Sequence, residues 1–251
     1  MELNLRGRWV SITGGGDGIG RSMSLAFAKE GARVAVCARS KERLNSLEQE
    51  IGQGGHVFCP ADLTKSEDLE AFHKAVIDGL GGLDVLINNA AVFSQITMAP
   101  FWELPLDEWN SALNVNVTGS FYCARAVVPT MQEAKWGRIV NVASGTVALG
   151  SANYLHYITS KSAMIGMTRS MARELGPWNV TVNTFWPGII KTEVPRPSAP
   201  ETVFEMFAKQ QCLPRLTTIE DLAKPMLFLC SNEASYMTGQ IFEPDGGLSF
   251  N

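Results

Sequence analysis

Hydrophobic residues in this chain follow two alternating patterns: short unbroken runs, and longer segments in which they recur every three or four positions. The unbroken runs predict strands buried on both faces, and Val34-Ala-Val-Cys37 is an example. The recurring pattern predicts helices, as at Leu44, Leu47 and Ile51. The predicted strands span residues 9–13, 33–38, 56–60, 85–88, 138–144, 181–186 and 241–244. The predicted helices span residues 19–30, 41–51, 66–80, 106–133, 154–175 and 219–231.

This alternation of strand and helix predicts an α/β fold built on a doubly wound parallel β-sheet with helices on both faces. The chain of 251 residues suits one such domain, and no internal repeat or low-complexity linker divides it. The one irregular stretch, residues 188–216, is rich in proline and predicts a loop with a short helix near 201–210. Loops of this length are often lids, so we expect residues 189–213 to be mobile and to close over bound ligands.

A glycine-rich turn, Thr13-Gly-Gly-Gly-Asp-Gly-Ile-Gly20, joins the first predicted strand to the first predicted helix. The usual G-x-G-x-x-G is absent, and Gly14, Gly18 and Gly20 form G-x-x-x-G-x-G instead. Glycine permits a tight turn and lets a phosphate approach the backbone, while a helix N-terminus offers free N–H groups to an anion. The position of this turn therefore predicts a site for the diphosphate of a dinucleotide.

A second candidate site is Tyr157-Ile-Thr-Ser-Lys161, which lies in a predicted helix. Residues four positions apart share one face of a helix, so we expect Tyr157 and Lys161 to be neighbours. A free tyrosine has a pKa near ~10, and an adjacent ammonium group lowers that pKa, as an acid/base catalyst at neutral pH requires. Ser144 ends the preceding predicted strand, where its hydroxyl can donate a hydrogen bond to a substrate oxygen.

With these motifs in place, the chain resembles the short-chain dehydrogenases/reductases, a family with a Rossmann-like fold, over nearly its whole length. Residues 13–20 resemble the family's T-G-x-x-x-G-x-G motif, and Asn88-Asn-Ala-Ala91 resembles N-N-A-G. Asp245-Gly-Gly247 resembles the D-G-G motif near the C-terminus. The remaining matches are the catalytic tetrad, at Asn116, Ser144, Tyr157 and Lys161, and the P-G-x-x-x-T motif, at Pro187, Gly188 and Thr192.

The resemblance implies an oxidoreductase that moves a hydride between NAD(P) and a ketone or secondary alcohol, in a single dinucleotide-binding and catalytic domain over residues 1–251. Tyr157 would exchange a proton with the substrate oxygen, while Lys161 would hold the nicotinamide ribose and lower the tyrosine pKa. Ser144 would orient the substrate oxygen, and Asn116 would support a water linked to Lys161. The residues expected to contact the cofactor are Gly14, Asp17, Gly18, Ile19, Gly20, Arg39, Ser40, Asp62, Leu63, Asn89, Ala90, Ala91, Tyr157, Lys161, Pro187, Gly188, Ile190 and Thr192.

Two alternative functions stay open. Tyr154 also precedes Lys161, with a spacing that resembles the enoyl reductases of the same superfamily, although the intact glycine turn and the position of Ser144 favour Tyr157. A non-catalytic dinucleotide-binding protein is the other alternative, although such proteins typically lose the tyrosine or the lysine. One departure concerns binding: Ala91 replaces the family's usual glycine, and we expect a slightly altered backbone with no loss of affinity.

The end of the second predicted strand favours NADP(H) over NAD(H). NAD-specific folds usually end this strand with Asp or Glu, which repels a 2′-phosphate, and Ala38 stands there instead. Arg39 can pair with the phosphate through two hydrogen bonds, and Ser40 can add a third. Arg39 can equally stack on the adenine, and Asp17 would weaken phosphate binding if it lies near the ribose. We predict NADP as the preferred cofactor and NAD as a usable alternative.

Composition excludes other classes of function. The net charge is −4 and the basic residues are scattered, so we expect no nucleic-acid partner. Histidines at positions 56, 73 and 156 share no ligand spacing with the cysteines, so we expect no metal site. A membrane-spanning helix needs about eighteen or more consecutive apolar residues, and every apolar run in the sequence is much shorter, so we expect no membrane span. The five cysteines form no C-x-x-C pair, and the N-terminal residues do not resemble a signal sequence. We therefore expect the protein to be located in the cytoplasm.

The substrate is indicated only as a class. The residues expected around the cleft are largely apolar, which favours a hydrophobic or aromatic ketone or alcohol. Family members are commonly tetramers, so the resemblance implies a homotetramer, with helices near 106–133 and 154–175 at one interface and residues 245–251 at another. The candidate cleft residues are Phe93, Ser94, Thr146, Leu149, Tyr154, Trp186 and the loop 194–212.

Overall fold

Seven parallel strands form one sheet in the computed structural model, which describes residues 2–80, 82–93, 96–195 and 200–250. Their order across the sheet is β3-β2-β1-β4-β5-β6-β7, which confirms the predicted doubly wound parallel sheet. The strands are β1 (Trp9–Thr13), β2 (Arg33–Ala38), β3 (Val57–Pro60), β4 (Val85–Asn88), β5 (Gly137–Val142), β6 (Val180–Phe185) and β7 (Ile241–Phe242).

The strand order reverses between β1 and β4, which pair in the middle of the sheet. The chain runs outward from β1 through β2 to β3, and then returns to the other side of β1 to form β4 and the later strands. The connections that follow β1 and β4 therefore diverge at their carboxyl ends and leave a crevice. Ligands of open α/β sheets bind in this crevice.

Helices cover both faces of the sheet and create two hydrophobic cores. Val34 and Val36 of β2 pack in one core, while Cys37 packs in the other, because successive side chains of a strand point to opposite faces. The first core is closed by α1, α2 and α9, and the second by α3, α5 and α7. The helices are α1 (Gly18–Lys29), α2 (Lys41–Ile51), α3 (Ser66–Leu80), α4 (Leu106–Leu113), α5 (Ser120–Ala134), α6 (Thr146–Leu149), α7 (Leu155–Leu175), α8 (Glu201–Gln210) and α9 (Ile219–Leu229).

The prediction of one continuous helix over 106–133 is wrong, because a π-helical turn at Asn114–Gly119 separates α4 from α5. Such a turn widens the backbone spiral and redirects one side chain, and it is frequent at functional sites. Here the turn carries Asn116, whose Oδ1 accepts a hydrogen bond from the Val92 N–H at 2.8 Å. The segments before and after this turn both have helical spacing, so the apolar pattern predicted one continuous helix.

The predicted proline-rich excursion leaves the sheet and returns to nearly the same point. Ile190, after β6, forms a parallel bridge with Thr217, which precedes α9. The short helix expected near 201–210 is confirmed as α8. Residues 196–199 of the predicted loop lie outside the described residues, and the role of 189–213 as a mobile lid stays a prediction.

Other features of the chain bear on its chemistry. All five cysteines are free thiols. Within the described ranges, no group of three or more His, Cys, Asp or Glu side chains is arranged to hold a metal ion. None of the helices in those ranges is both long enough and apolar enough to cross a lipid bilayer.

Candidate active site

A cleft of about 1160 Å³ follows the carboxyl ends of the strands, where sequence analysis placed the functional residues. Each wall is a segment that begins where a strand ends, so residues far apart in the chain meet at one edge of the sheet. Of the predicted tetrad, Asn116 alone does not line this cleft. The predicted residues that line it are Gly14, Asp17, Gly18, Ile19, Gly20, Arg39, Ser40, Asp62, Leu63, Asn89, Ala90, Ala91, Ser144, Tyr157, Lys161, Pro187, Gly188, Ile190 and Thr192.

The glycine turn is held tightly against the end of β4. The Thr13 hydroxyl accepts hydrogen bonds from the Asn89 and Ala90 N–H groups, both at 3.1 Å, and the Asn89 amide donates to the Thr13 carbonyl at 3.0 Å. Gly14 has a φ of 63°, and a Cβ there would lie 2.7 Å from the Ala90 Cα. A side chain at Gly14 is therefore excluded, and the bare backbone of the turn faces the cleft.

The N-terminus of α1 binds a carboxylate. The Gly18 N–H, at the first residue of the helix, donates to Glu193 Oε1 at 2.8 Å. Glu193 follows β6 in the chain, so its carboxylate reaches across the cleft to the turn after β1. Helix N-termini favour anions because their N–H groups are free and their dipole end is positive. The turn therefore fits the diphosphate of a dinucleotide, for which the carboxylate oxygen is a stand-in.

Two arginines line the cleft near the glycine turn, beside the end of β2. Arg39 was predicted, whereas Arg43, in the first turn of α2, was missed. Arg43 forms an ion pair with Asp17 of the glycine turn, so the negative charge of Asp17 has a partner. The Ser40 hydroxyl accepts from the Arg43 N–H at 3.2 Å and donates to Glu42 at 2.9 Å. Ser40 was predicted to donate a hydrogen bond to a 2′-phosphate. In the structure its hydroxyl donates to Glu42 instead.

Asp62 lines the same part of the cleft and is held in its charged form. Its Oδ1 accepts hydrogen bonds from the Thr64 N–H at 3.0 Å and from the Thr64 hydroxyl at 2.8 Å. These bonds, led by the backbone N–H, lower the pKa of the Asp62 carboxyl, and the charge of Arg39 makes a smaller contribution in the same direction. Asp62 is therefore a hydrogen-bond acceptor at neutral pH, which is compatible with its predicted contact to the cofactor.

Tyr157 and Lys161 lie side by side on α7 at the centre of the cleft. The Lys161 ammonium is 5.9 Å from the centre of the Tyr157 ring, and its Nζ donates to the Val142 carbonyl at 2.7 Å. Burial lowers the pKa of Lys161 to about 8, because removal from water disfavours the charged form. At neutral pH most molecules therefore keep a positive charge beside the phenol of Tyr157.

Ser144 follows β5 and has a neighbour that the sequence analysis placed only in the cleft wall. Its Oγ lies 2.9 Å from the Thr146 hydroxyl and accepts a longer hydrogen bond, at 3.4 Å, from the Thr146 N–H. When Thr146 donates through both groups, the proton of Ser144 is free to point toward a substrate. Either hydroxyl can be the donor in this contact, and the arrangement in which Thr146 donates is the one that suits substrate binding by Ser144.

Asn116 is buried behind the cleft. Its side-chain amide donates to the Ser160 hydroxyl at 2.9 Å, and that hydroxyl donates to the Tyr157 carbonyl at 2.7 Å. With the bond from the Val92 N–H, Asn116 links the chain after β4 to the helix that carries Tyr157. The water that Asn116 was expected to support stays a prediction.

The predicted cleft wall is correct in part. Phe93, Thr146 and Leu149 line the cleft, whereas Tyr154 and Trp186 are buried outside it. Ser94 lies outside the described residues. Tyr154 meets the Tyr157 ring edge-on, with 5.9 Å between ring centres. The cleft is also lined by Met98, Ser111 and Leu248, which were not predicted.

Comparison with known proteins finds a family model described as enoyl-(acyl carrier protein) reductase, which matches residues 14–249. The chain is 33% identical to a 3-oxoacyl-[acyl-carrier-protein] reductase of Aquifex aeolicus, over 99% of this chain and 100% of that protein. It is 38% identical to a protein of Rhizobium meliloti described as a probable galactose dehydrogenase, over 98% of this chain and 96% of that one.

A solved structure of a short-chain dehydrogenase/reductase from Brucella melitensis, described as glucose/ribitol dehydrogenase, has a TM-score of 0.91 at 28% identity. The match covers 100% of both chains. The names of these relatives differ in substrate and agree in chemistry, since each acts on a carbonyl or an alcohol. Taken with the cleft, they show that the chain belongs to the short-chain dehydrogenase/reductase family, which uses NAD(P), and is an oxidoreductase acting on carbonyl or alcohol groups.

Proposed function

We propose that this enzyme moves a hydride between a nicotinamide cofactor and a hydrophobic or aromatic ketone or secondary alcohol, with Tyr157 as acid and base. The observation that carries the proposal is the shared cleft: Ser144 and Tyr157 line the same space as the glycine turn. The Lys161 ammonium, 5.9 Å from the Tyr157 ring, supports the role of that phenol in proton transfer. Replacing Tyr157 by Phe is the decisive test, because the substitution removes only the oxygen that would transfer the proton.

In this mechanism the nicotinamide, when bound, supplies or takes up the hydride. Tyr157 donates a proton to the substrate oxygen during reduction and removes it during oxidation. The hydroxyl of Ser144 donates a hydrogen bond to the same oxygen and holds it beside the phenol. The positive charge of Lys161 stabilises the phenolate of Tyr157 after proton transfer. The glycine turn, Asp62, Lys161 and Thr192 are among the parts of the cleft that would hold the cofactor.

The apolar wall of the cleft supports a hydrophobic substrate. Phe93 packs against the Tyr157 ring with 4.9 Å between ring centres, so an apolar surface adjoins the reacting oxygen. Purified enzyme is expected to give a higher kcat/KM with aromatic and medium-chain ketones than with sugars of similar size. A preference for galactose or another sugar would contradict this substrate class. Other apolar residues of the wall are Met98, Leu149, Phe204, Phe207 and Leu248.

The carbonyl reaction is favoured over reduction of a carbon–carbon double bond. The enoyl alternative requires Tyr154 to reach the substrate, and the Tyr154 side chain does not line the cleft. Tyr157 does line it and has Ser144 as a neighbour in the same wall. The description of the matched family model therefore does not change the proposed reaction.

We also propose NADP as the preferred cofactor, with NAD usable. Ala38 places no carboxylate at the end of β2, and two guanidinium groups, of Arg39 and Arg43, line that end of the cleft. Both are suited to a phosphate, since a guanidinium offers paired donors. The pairing of Arg43 with Asp17 supports the use of NAD as well, because it takes up part of the available positive charge.

A homotetramer in the cytoplasm is the proposed working form. Exposed apolar side chains occur around α4 and α5: Trp102, in the turn before α4, and Leu106, at the start of α4, are each 72% exposed, and Phe121 of α5 is also exposed. Contiguous exposed apolar surface commonly marks a protein interface. Phe250, in the tail expected at the other interface, is 82% exposed. A monomeric mass by light scattering at micromolar concentration would contradict the tetramer.

The free cysteines support the proposed location in the cytoplasm, because that compartment is reducing.

Replacing Thr146 by Val is expected to lower kcat about threefold to tenfold, since one hydrogen bond contributes about 0.5–1.5 kcal/mol. The valine keeps the shape of the side chain and removes the hydroxyl that orients Ser144. Thr146→Ser should restore most of the activity, and cofactor affinity should not change. Steady-state kinetics in wild-type and Ser144→Ala backgrounds provide the check. If Thr146→Val has the same effect in both backgrounds, Thr146 does not act through Ser144.

A further inference from the structure

The contact between Glu193 and Gly18 joins the segment after β6 to the N-terminus of α1, which is the expected diphosphate site. Gly18 Cα lies under the segment 192–194: a Cβ on Gly18 would be 3.4 Å from Val194 Cγ2 and 3.7 Å from Thr192 Oγ1. The Glu193 carboxylate fills the space between this segment and the N-terminus of α1 and accepts the Gly18 N–H at 2.8 Å. The carboxylate thus lies where the diphosphate of a dinucleotide is expected.

Contacts on either side hold Glu193 in this position. Before it, Ile190 is fixed to Thr217 by the β-bridge, and the Lys191 ammonium pairs with Glu201 at the start of α8. After it, Val194 lines the cleft above the glycine turn. The carboxylate is therefore presented to α1 by backbone that is anchored to the fold at the bridge between Ile190 and Thr217.

A carboxylate and a diphosphate cannot both accept the Gly18 N–H, and their like charges repel each other in the same space. We propose that Glu193 is an internal competitor for the diphosphate site and sets the affinity and the release rate of the cofactor. The inference rests on the proposed dinucleotide function. Each binding event must displace the carboxylate, so part of the attraction between α1 and the diphosphate is offset. Weaker binding speeds the exchange of used cofactor, a step that limits kcat in many enzymes.

Glu193→Gln tests this inference because it removes the charge and keeps the size of the side chain. The dissociation constants of NADPH and ADP-ribose, measured by calorimetry at low ionic strength, are expected to fall about twofold to fivefold. This range is the contribution of one anion at an exposed helix N-terminus. Adenosine 2′-monophosphate has no diphosphate and should bind equally to both proteins. Release of NADPH, followed by stopped-flow fluorescence, should slow by a similar factor.

Two further variants keep the test decisive. Glu193→Ala should tighten the same ligands, because it also removes the competing anion. Glu205→Gln removes a matching charge from the exposed side of α8, outside the cleft, and should leave every dissociation constant unchanged. Thermal unfolding checks that each variant folds, and the side chain of Glu193 belongs to an exposed residue, so we expect folding to be retained.

The outcomes separate the inference from the function on which it rests. If NADPH and ADP-ribose bind to Glu193→Gln and Glu193→Ala as tightly as to wild type, or more weakly, the competitor role is wrong and the dinucleotide function stands. If neither ligand binds to the wild-type protein at millimolar concentration, the dinucleotide function fails, and the competitor role fails with it.

Discussion

Replacing Tyr157 by Phe is expected to reduce kcat about a hundredfold or more while leaving cofactor affinity near that of wild type. The substitution removes only the phenol oxygen, which is the proton donor and acceptor, and loss of a positioned general acid usually costs about two orders of magnitude or more. The ring remains, so its packing against Phe93 is retained. Single-turnover hydride transfer and cofactor titration by fluorescence measure the two quantities separately.

Tyr154→Phe is the matched control for this prediction. It removes the same oxygen from the neighbouring tyrosine, which is buried beside Tyr157 and does not line the cleft. Most of the activity should remain. If Tyr157→Phe keeps more than about a tenth of wild-type kcat, Tyr157 is not the proton donor. If activity is lost with Tyr154→Phe alone, the enoyl type of chemistry replaces the proposed reaction.

The second large effect is expected in cofactor choice. Ala38→Asp combined with Arg39→Ile should lower the ratio of kcat/KM for NADP over that for NAD by about a hundredfold or more. The new carboxylate repels the 2′-phosphate and accepts hydrogen bonds from ribose hydroxyls, and the lost guanidinium removes a charge-assisted contact worth about 1.5–3 kcal/mol. Steady-state kinetics with both cofactors measure the ratio. A wild-type preference for NAD, or a double variant that still prefers NADP, would refute the role of Arg39.

Arg43 and Asp17 refine this prediction because they form an ion pair in the same part of the cleft. Arg43→Gln should weaken NADP more than NAD, and Asp17→Asn should strengthen NADP by freeing the guanidinium. Lys41→Gln is the control: it removes a cation from the exposed start of α2, outside the cleft, and should not change the ratio. Equal effects of Lys41→Gln and Arg43→Gln would indicate a general effect of charge rather than a contact.

The sequence was sufficient for the parts of the site that depend on local geometry. Tyr157 and Lys161 are one helical turn apart, and the glycine turn directly follows a buried strand, so their placement follows from spacing alone. The strands themselves were predicted to within a few residues, because a parallel sheet covered on both faces leaves unbroken apolar runs.

Contacts between distant segments could not be predicted in this way. Glu193 and Gly18 are 175 positions apart, and nothing in the local sequence of either residue indicates the other. Arg43 was missed for the same reason, because its contact with Asp17 depends on how α2 packs beside the glycine turn. The π-helical turn was hidden because it has no sequence signature of its own and lies between two segments that both show helical spacing.

The bridge between Ile190 and Thr217 has an evolutionary consequence. The chain leaves the sheet and comes back at adjacent points. The intervening segment can therefore become longer with only a small increase in the entropic cost of loop closure. The acid/base residues lie on α7 and the glycine turn lies after β1, so both are built outside that segment, which meets the glycine turn through residues 192–194. We therefore expect the part of the excursion beyond Val194 to vary in length and sequence among relatives, while the acid/base residues and the glycine turn are inherited unchanged.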